Sequence, residues 1–264
     1  MLTEETLRLL HELNLHGMAE SYDAQRHTPD IAHLAFDDRL GYMLHREKDM
    51  RDDRRLERLL RLARFRFPSA HIDQILWSQR PGLERAQIYG LREGDWIKRG
   101  QFCLITGKTG TGKSWLGCAL GQAACKRGYR VRFAGVSALL EQLAAARLDG
   151  TYAKLVLRLQ QADLVILDDL GTKPLDAPMS SDLLDLLEDR YDRKATLVTS
   201  QYPVADWHAL FRNPTLADAI MDRLTHHSHR IDLSGDSLRK LKPEKRNPRP
   251  DDTTPPAAPL PDRV

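Results

Sequence analysis

Apolar positions recur at helical spacing through the first 67 residues, with Leu7, Leu10, His11, Leu13 and Met18 setting the phase. One proline, Pro29, falls in this stretch, and the pattern predicts a small N-terminal all-α domain over residues 1–67. From 99 to 240 the texture changes. Short apolar runs (FCLITG at 102, VRFAGV at 131, LVILDD at 164, TLVTSQ at 196 and HRIDL at 229) alternate with helical patterns. Strands alternating with helices predict an α/β fold, a parallel sheet flanked by helices. Residues 68–98 are mixed in pattern, with Pro81-Gly82 marking a turn, and read as a connector. Residues 241–264 hold seven prolines and few apolar side chains. They bury too little surface to offset chain entropy, which predicts a disordered tail.

Composition adds mainly exclusions. A chain of 264 residues has room for one or two domains. A net charge of +3 says little about partners, so the distribution of charge matters more. Cys103, Cys118 and Cys125 form no CxxC pair and no metal-ligand spacing with histidine. They read as small buried hydrophobes in a reducing compartment. The N-terminal MLTEETLRLL lacks the basic and apolar regions of a signal peptide, and no apolar run is long enough to span a bilayer. The expectation is a cytoplasmic protein without a membrane partner.

The segment GKTGTGKS, Gly107 to Ser114, fits the P-loop pattern G-x-x-x-x-G-K-[ST]. A strand-like FCLI precedes it and the helical WLGCALGQAACKR follows. Gly107, Gly110 and Gly112 let the backbone turn tightly, so that the N–H groups of Lys108, Thr109, Thr111 and Trp115, among others, face one anion. The helix N-terminus adds its positive dipole end. Lys113 is placed to reach the β- and γ-phosphates of ATP, and Ser114 to offer its hydroxyl to Mg²⁺.

LVILDDLG, residues 164 to 171, runs an apolar strand into two acids. In P-loop NTPases an acid at the end of such a strand helps to hold Mg²⁺, and Asp168 has that position. Alternation along a strand sends neighbouring side chains to opposite faces. Asp169 is therefore assigned to the attacking water rather than to the metal shell. Gln201, beside Thr199 and Ser200 at the tip of another strand, is a candidate for orienting the water or sensing phosphate loss.

Two groups of arginines remain. Arg223 lies off the apolar face formed by Leu216, Ile220, Met221 and Leu224, and no carboxylate stands three or four residues away. It is expected to be free to reach outward, as a finger onto another subunit's nucleotide requires. His226, His227 and His229 diverge around the helix and make a weak metal set. Segment 46–66 turns basic, with six arginines and only Glu57 among acids from Arg54 onward. Arg54, Arg58 and Arg61 share one helical face, with Arg51 and Arg55 beside them, while Leu56, Leu59, Leu60 and Ala63 are available to pack. Such a stripe neutralises phosphates without reading bases, so duplex DNA contact would be largely sequence-independent and salt-sensitive.

Taken in order, these segments resemble the IstB/DnaC branch of the AAA+ ATPases, most closely the IstB transposition helpers. The resemblance covers residues 7 to 240 and includes RAQIYGLREGDWIKRGQFCLITGKTGTGKS, GYRVRF, LVILDDLG, LVTSQYPVADWH, DAIMDRLTHHSHRIDL and GDSLRK. It implies a DNA-associated, oligomeric AAA+ ATPase that uses ATP and Mg²⁺ and helps a transposase to select target DNA. It also implies that Arg223 acts in trans on a neighbour's ATP and that Arg239 is a second phosphate sensor. The chain departs from the family pattern at Lys108 and Thr109, where prolines or small residues are usual, and at Gln201, where asparagine is usual. Many AAA+ proteins carry glutamate where this chain has Asp169. Aspartate is shorter by about 1.5 Å, and a misplacement of about 1 Å costs on the order of 100-fold. Either the loop brings Asp169 closer, or hydrolysis is slow until a neighbour and DNA tighten the site, and the second is the expectation here.

Two other classes fit the core motifs. A replicative helicase loader of the DnaC/DnaI type uses the same ATPase core as a protein-binding adaptor, although no zinc-binding N-terminal module is evident here. A small-molecule P-loop kinase would need an acceptor site and an arginine-rich lid, and neither is evident.

Overall fold

The computed structural model describes residues 2–28, 31, 33–80 and 82–238. Pro81, Arg239 and the 241–264 tail lie outside the described residues.

The described N-terminal residues include the helices α1 (Leu2–Glu12), α2 (His16–His27) and the 28-residue α3 (Phe36–Ala63). Asn14 takes a left-handed conformation (φ 57°) between the first two, and Leu13, in phase with the α1 pattern, falls in that turn exposed. A buried carboxylate joins α2 to α3. Glu47 accepts from the N–H groups of Gly17 (2.7 Å) and Met18 (3.2 Å) and from Arg51 Nε (2.6 Å). It thus meets the unpaired donors and positive dipole end of α2. Gly17 allows the approach, since a Cβ there would lie 2.6 Å from Glu47 Cα.

Residues 68–98 carry two 3₁₀ turns (Ile72–Gln74 and Trp77–Gln79), α4 (Arg85–Glu93) and α5 (Asp95–Lys98). The sheet follows, built from β1 (Phe102–Gly107), β2 (Val131–Gly135), β3 (Leu164–Leu170), β4 (Ala195–Ser200) and β5 (Ser228–Leu233). Its five strands are parallel in the order β2-β3-β4-β1-β5. The helices are α6 (Lys113–Lys126), α7 (Val136–Asp149), α8 (Tyr152–Gln160), α9 (Ala177–Arg190) and α10 (Pro214–Thr225). Asn213 caps α10, accepting from the N–H groups of Thr215 and Leu216.

Hydrophobic cores cover both sheet faces. One joins the end of α3 (Leu59, Ala63) and the connector (Ala70, Ile72, Ile88, Trp96) to α6. The other packs α7 to α10 on the opposite face. Central strands buried on both sides read as continuous apolar runs rather than alternating ones. Cys103, Cys118 and Cys125 are buried free thiols, and burial pushes their pKa values up to about 12, 11 and 12. The chain leaves β1 through α6 for the far edge at β2, so neighbouring strands diverge in connection at the carboxyl end of β1. That is where open parallel sheets bind ligands.

Candidate nucleotide site

β1 ends at Gly107 (φ 141°), the loop turns through Gly110 (φ 87°) and Gly112 (φ 95°), and α6 begins at Lys113. A Cβ on Gly107 would lie 2.3 Å from the Leu233 carbonyl, so β5 leaves no room for another residue. Thr111 Oγ1 donates to the Lys108 carbonyl at 2.8 Å. Lys113 is buried, and its Nζ donates to the carbonyls of Gly107 (2.7 Å) and Lys108 (3.0 Å). Ser114 and Trp115 stand in the first turn of α6, both partly buried.

The acid pair departs from simple alternation. β3 continues through Leu170, and its register against β4 slips between Leu167 and Leu170. Asp169 within this bulge has φ 61°. Bulges re-aim side chains, and here both carboxylates reach Arg66 Nη1, Asp168 at 3.4 Å and Asp169 at 3.2 Å. The expectation of opposite faces is therefore corrected. Asp168 is 1% exposed, whereas the Asp169 side chain is 46% exposed. Thr199 fixes the bulge, donating to Asp168 Oδ1 (2.6 Å) while its hydroxyl oxygen accepts from the Asp169 N–H (2.9 Å). The Asp169 carboxylate does not cap the following turn, where Thr172 bonds to the Asp169 backbone carbonyl instead.

Gln201 Oε1 accepts from Thr109 Oγ1 at 3.1 Å, which ties the tip of β4 to the phosphate loop. Arg66, Lys113, Ser114, Asp169 and Gln201 line one cavity of about 390 Å³. A second cavity of about 330 Å³ adjoins it at Gly112, Trp115 and Leu238, walled largely by apolar groups such as Ile75 and Leu83. Arg80 also lines it. Burial holds the Arg80 guanidinium below its ordinary pKa, and its Nη2 is a buried donor without a partner among the described residues. An apolar slot beside the phosphate loop fits the flat apolar faces of a purine base. The hard oxygen donors of Ser114 and Asp168 fit Mg²⁺.

Arg223 is not free. It pairs with Asp222 (2.7 Å) and with Glu188 of α9 (3.3 Å), and its guanidinium lies over the Tyr191 ring. Intrahelical spacing could not register partners one residue away or on another helix. On α3, Arg51 pairs with Glu47 and Arg55 donates to the Gly128 carbonyl at 3.4 Å. Arg54, Arg58 and Arg61 are exposed and make no ion pair or hydrogen bond among the described residues. No described helix is long and apolar enough to cross a membrane.

Three contributors escaped the sequence reading. Arg66 counted only as part of a basic run, Thr199 only as a neighbour of Gln201, and Arg80 not at all. Each reaches the site through tertiary packing, and only the polar TSQ strand end gave any local signal.

The strand order, the phosphate loop and the acid pair define an AAA+ ATP-binding protein of the P-loop class. Solved structures agree on the fold. The DnaI structure superposes with a TM-score of 0.56 at 18% identity, covering 67% of this chain and 94% of that one. The DnaC helicase loader superposes with a TM-score of 0.51 at 19% identity, over 56% and 87%. Within that class the chain belongs to the IstB-like ATP binding protein family, whose pattern matches residues 8–246. An insertion sequence ATP-binding protein of Sinorhizobium fredii is 44% identical over 93% of this chain and 100% of its own length. The ATP-binding protein of insertion sequence IS1162 from Pseudomonas fluorescens is 40% identical over 77% of this chain and 88% of its own.

Proposed function

We propose that the protein is a Mg²⁺-dependent ATPase that assembles on duplex DNA and assists a transposase in target selection. The observation that carries this reading is the convergence of Lys113, Ser114, Asp169 and Gln201 on one cavity beside an apolar slot. Lys113 and the loop N–H groups bind the phosphates, and the slot takes the base against Arg80. Ser114 and Asp168 would hold Mg²⁺, which would supply neutralisation of the phosphate charge. Asp169, the more exposed acid, accepts the proton of the attacking water, and Gln201, anchored on Thr109, orients that water.

Arg223 serves a neighbouring protomer's nucleotide in this reading, once it leaves Glu188 and Asp222. Exposed pairs of this kind are worth about 0–1 kcal/mol, so exchanging them for a phosphate costs little. The stripe Arg54, Arg58 and Arg61 meets DNA phosphates. The relatives at 40–44% identity are insertion-sequence proteins, whereas DnaI and the DnaC helicase loader share only the fold at 18–19%, which favours the transposition role over loading. The test is ATP turnover and assembly size with and without duplex DNA. Absence of nucleotide binding would remove the ATPase reading, and turnover and assembly indifferent to DNA would remove the assembly reading.

A further inference from the structure

The exposed edge of the sheet carries a second concentration of arginines. A recess of about 110 Å³ beside β2 is lined by Leu59, Leu62, Arg130, Arg132, Arg158 and Gln161, and no carboxylate lines it. A water molecule's share of liquid is about 30 Å³, so the recess has room for one tetrahedral phosphate group. The acid that pairs with Arg130 is already shared. Asp163 takes Lys194 Nζ at 2.6 Å and Arg130 Nε at 3.6 Å, one carboxylate against two cations. Arg132 gives one N–H to the Leu62 carbonyl at 2.5 Å, closing the last turn of α3. Arg158, on α8, is exposed and has no ion pair or hydrogen bond among the described residues. Burial and then the fields of Arg158 and Arg64 hold the Arg132 guanidinium below its ordinary pKa, as expected where these arginines lie close together.

The recess borders the α3 stripe. At about 100° per residue, Arg54, Arg58 and Arg61 fall within roughly 60° of arc, and Leu62 follows about 40° beyond Arg58. By way of Leu62 the stripe therefore borders the sheet edge. A single bound ion would need only the recess, whereas a run of arginines leading into it suits a polyanion. Guanidinium forks match phosphate oxygens in pairs.

We propose that a backbone phosphate of duplex DNA seats in the recess formed by Arg130, Arg132 and Arg158, so that DNA contacts the ATPase sheet as well as α3. The inference rests on the DNA-binding reading and adds a site on a different part of the chain. Its consequence is physical: DNA that touches both elements clamps the end of α3 against β2.

The experiment measures duplex DNA affinity of the full chain across a salt series for wild type, Arg158→Ala, Arg158→Lys and Arg158→Glu, with Arg54→Ala/Arg58→Ala for comparison. Each phosphate contact contributes a slope of about −0.9 in log K against log salt. Arg158→Ala is expected to bind several-fold more weakly with a slope smaller by about 1, Arg158→Lys to keep most of the slope, and Arg158→Glu to lose at least ten-fold. Binding of a fluorescent ATP analogue should stay at the wild-type level in each variant, which reports an intact fold. Wild-type affinity and slope in Arg158→Ala would overturn the site. Inorganic phosphate that stabilises wild type but not Arg158→Ala, with DNA binding unchanged, would assign the recess to a free anion and overturn it as well. Loss confined to the α3 variant would leave the DNA reading standing without the recess, whereas wild type that binds no duplex would remove the DNA reading itself.

Discussion

Arg66 Nη1 lies 3.2 Å from Asp169 Oδ2 and 3.4 Å from Asp168 Oδ2, so one guanidinium from just beyond α3 spans the acid pair. The segment around it is pinned to the phosphate-loop helix, because Gln122 Nε2 donates to the carbonyls of Phe67 (3.2 Å) and Pro68 (3.0 Å). A cation on these oxygens opposes a second cation there by Coulomb repulsion. Arg66→Ala is expected to raise Mn²⁺ affinity in the ADP complex several-fold, read by electron paramagnetic resonance, and Arg66→Lys to do so less. Unchanged affinity would mean that the guanidinium and the divalent ion do not compete.

The two aspartates should separate on mutation. Asp169→Asn is expected to retain ATP and Mg²⁺ binding while losing about 10²–10⁴-fold in turnover, the range for a lost general base. Asp168→Ala should instead weaken the divalent ion itself, seen as a higher Mg²⁺ requirement for nucleotide binding. Normal hydrolysis by Asp169→Asn would sink this division.

Thr199 holds the bulge from both sides. Thr199→Val leaves Asp168 Oδ1 without its donor and the Asp169 N–H without its acceptor, and an unsatisfied buried group costs about 1–3 kcal/mol. Urea unfolding should show that loss, and Thr199→Ser should recover most of it. A Thr199→Val variant as stable as wild type would show that the hydroxyl carries no such weight.

Glu47 makes the packing of α2 on α3 sensitive to acid. Burial raises its pKa, but Arg51 and the N–H groups of Met18 and Gly17 outweigh that effect and hold it below the ordinary 4.5. With the folded value depressed, the stabilisation is complete above the unfolded pKa and disappears as pH falls through the folded one. The urea midpoint should therefore drop below about pH 4.5, and Glu47→Gln should flatten that limb while lowering stability at neutral pH. An acid limb identical in both proteins would exclude Glu47 as its source.

What could be read from the chain was what local order encodes. The strand runs and the GKTGTGKS turn each depend on neighbours in sequence, and each forms. The acid pair was misjudged because alternation assumes a regular strand, and the slip at Asp169 breaks it. Arg223 was misjudged because Glu188 comes from another helix. Arg66 and Arg80 stand 102 residues or more from their partners Asp168 and Asp236, a separation that no periodicity reports.

The left-handed backbone at Asp169 also bears on why the second acid is short. Aspartate and asparagine enter that conformation more readily than other non-glycine residues. A glutamate would bring a longer arm but a backbone less suited to φ 61°. The chain gains its aim by turning the main chain instead of lengthening the side chain. Arm length and backbone shape are thus coupled at this position, and a residue chosen for one must answer to the other.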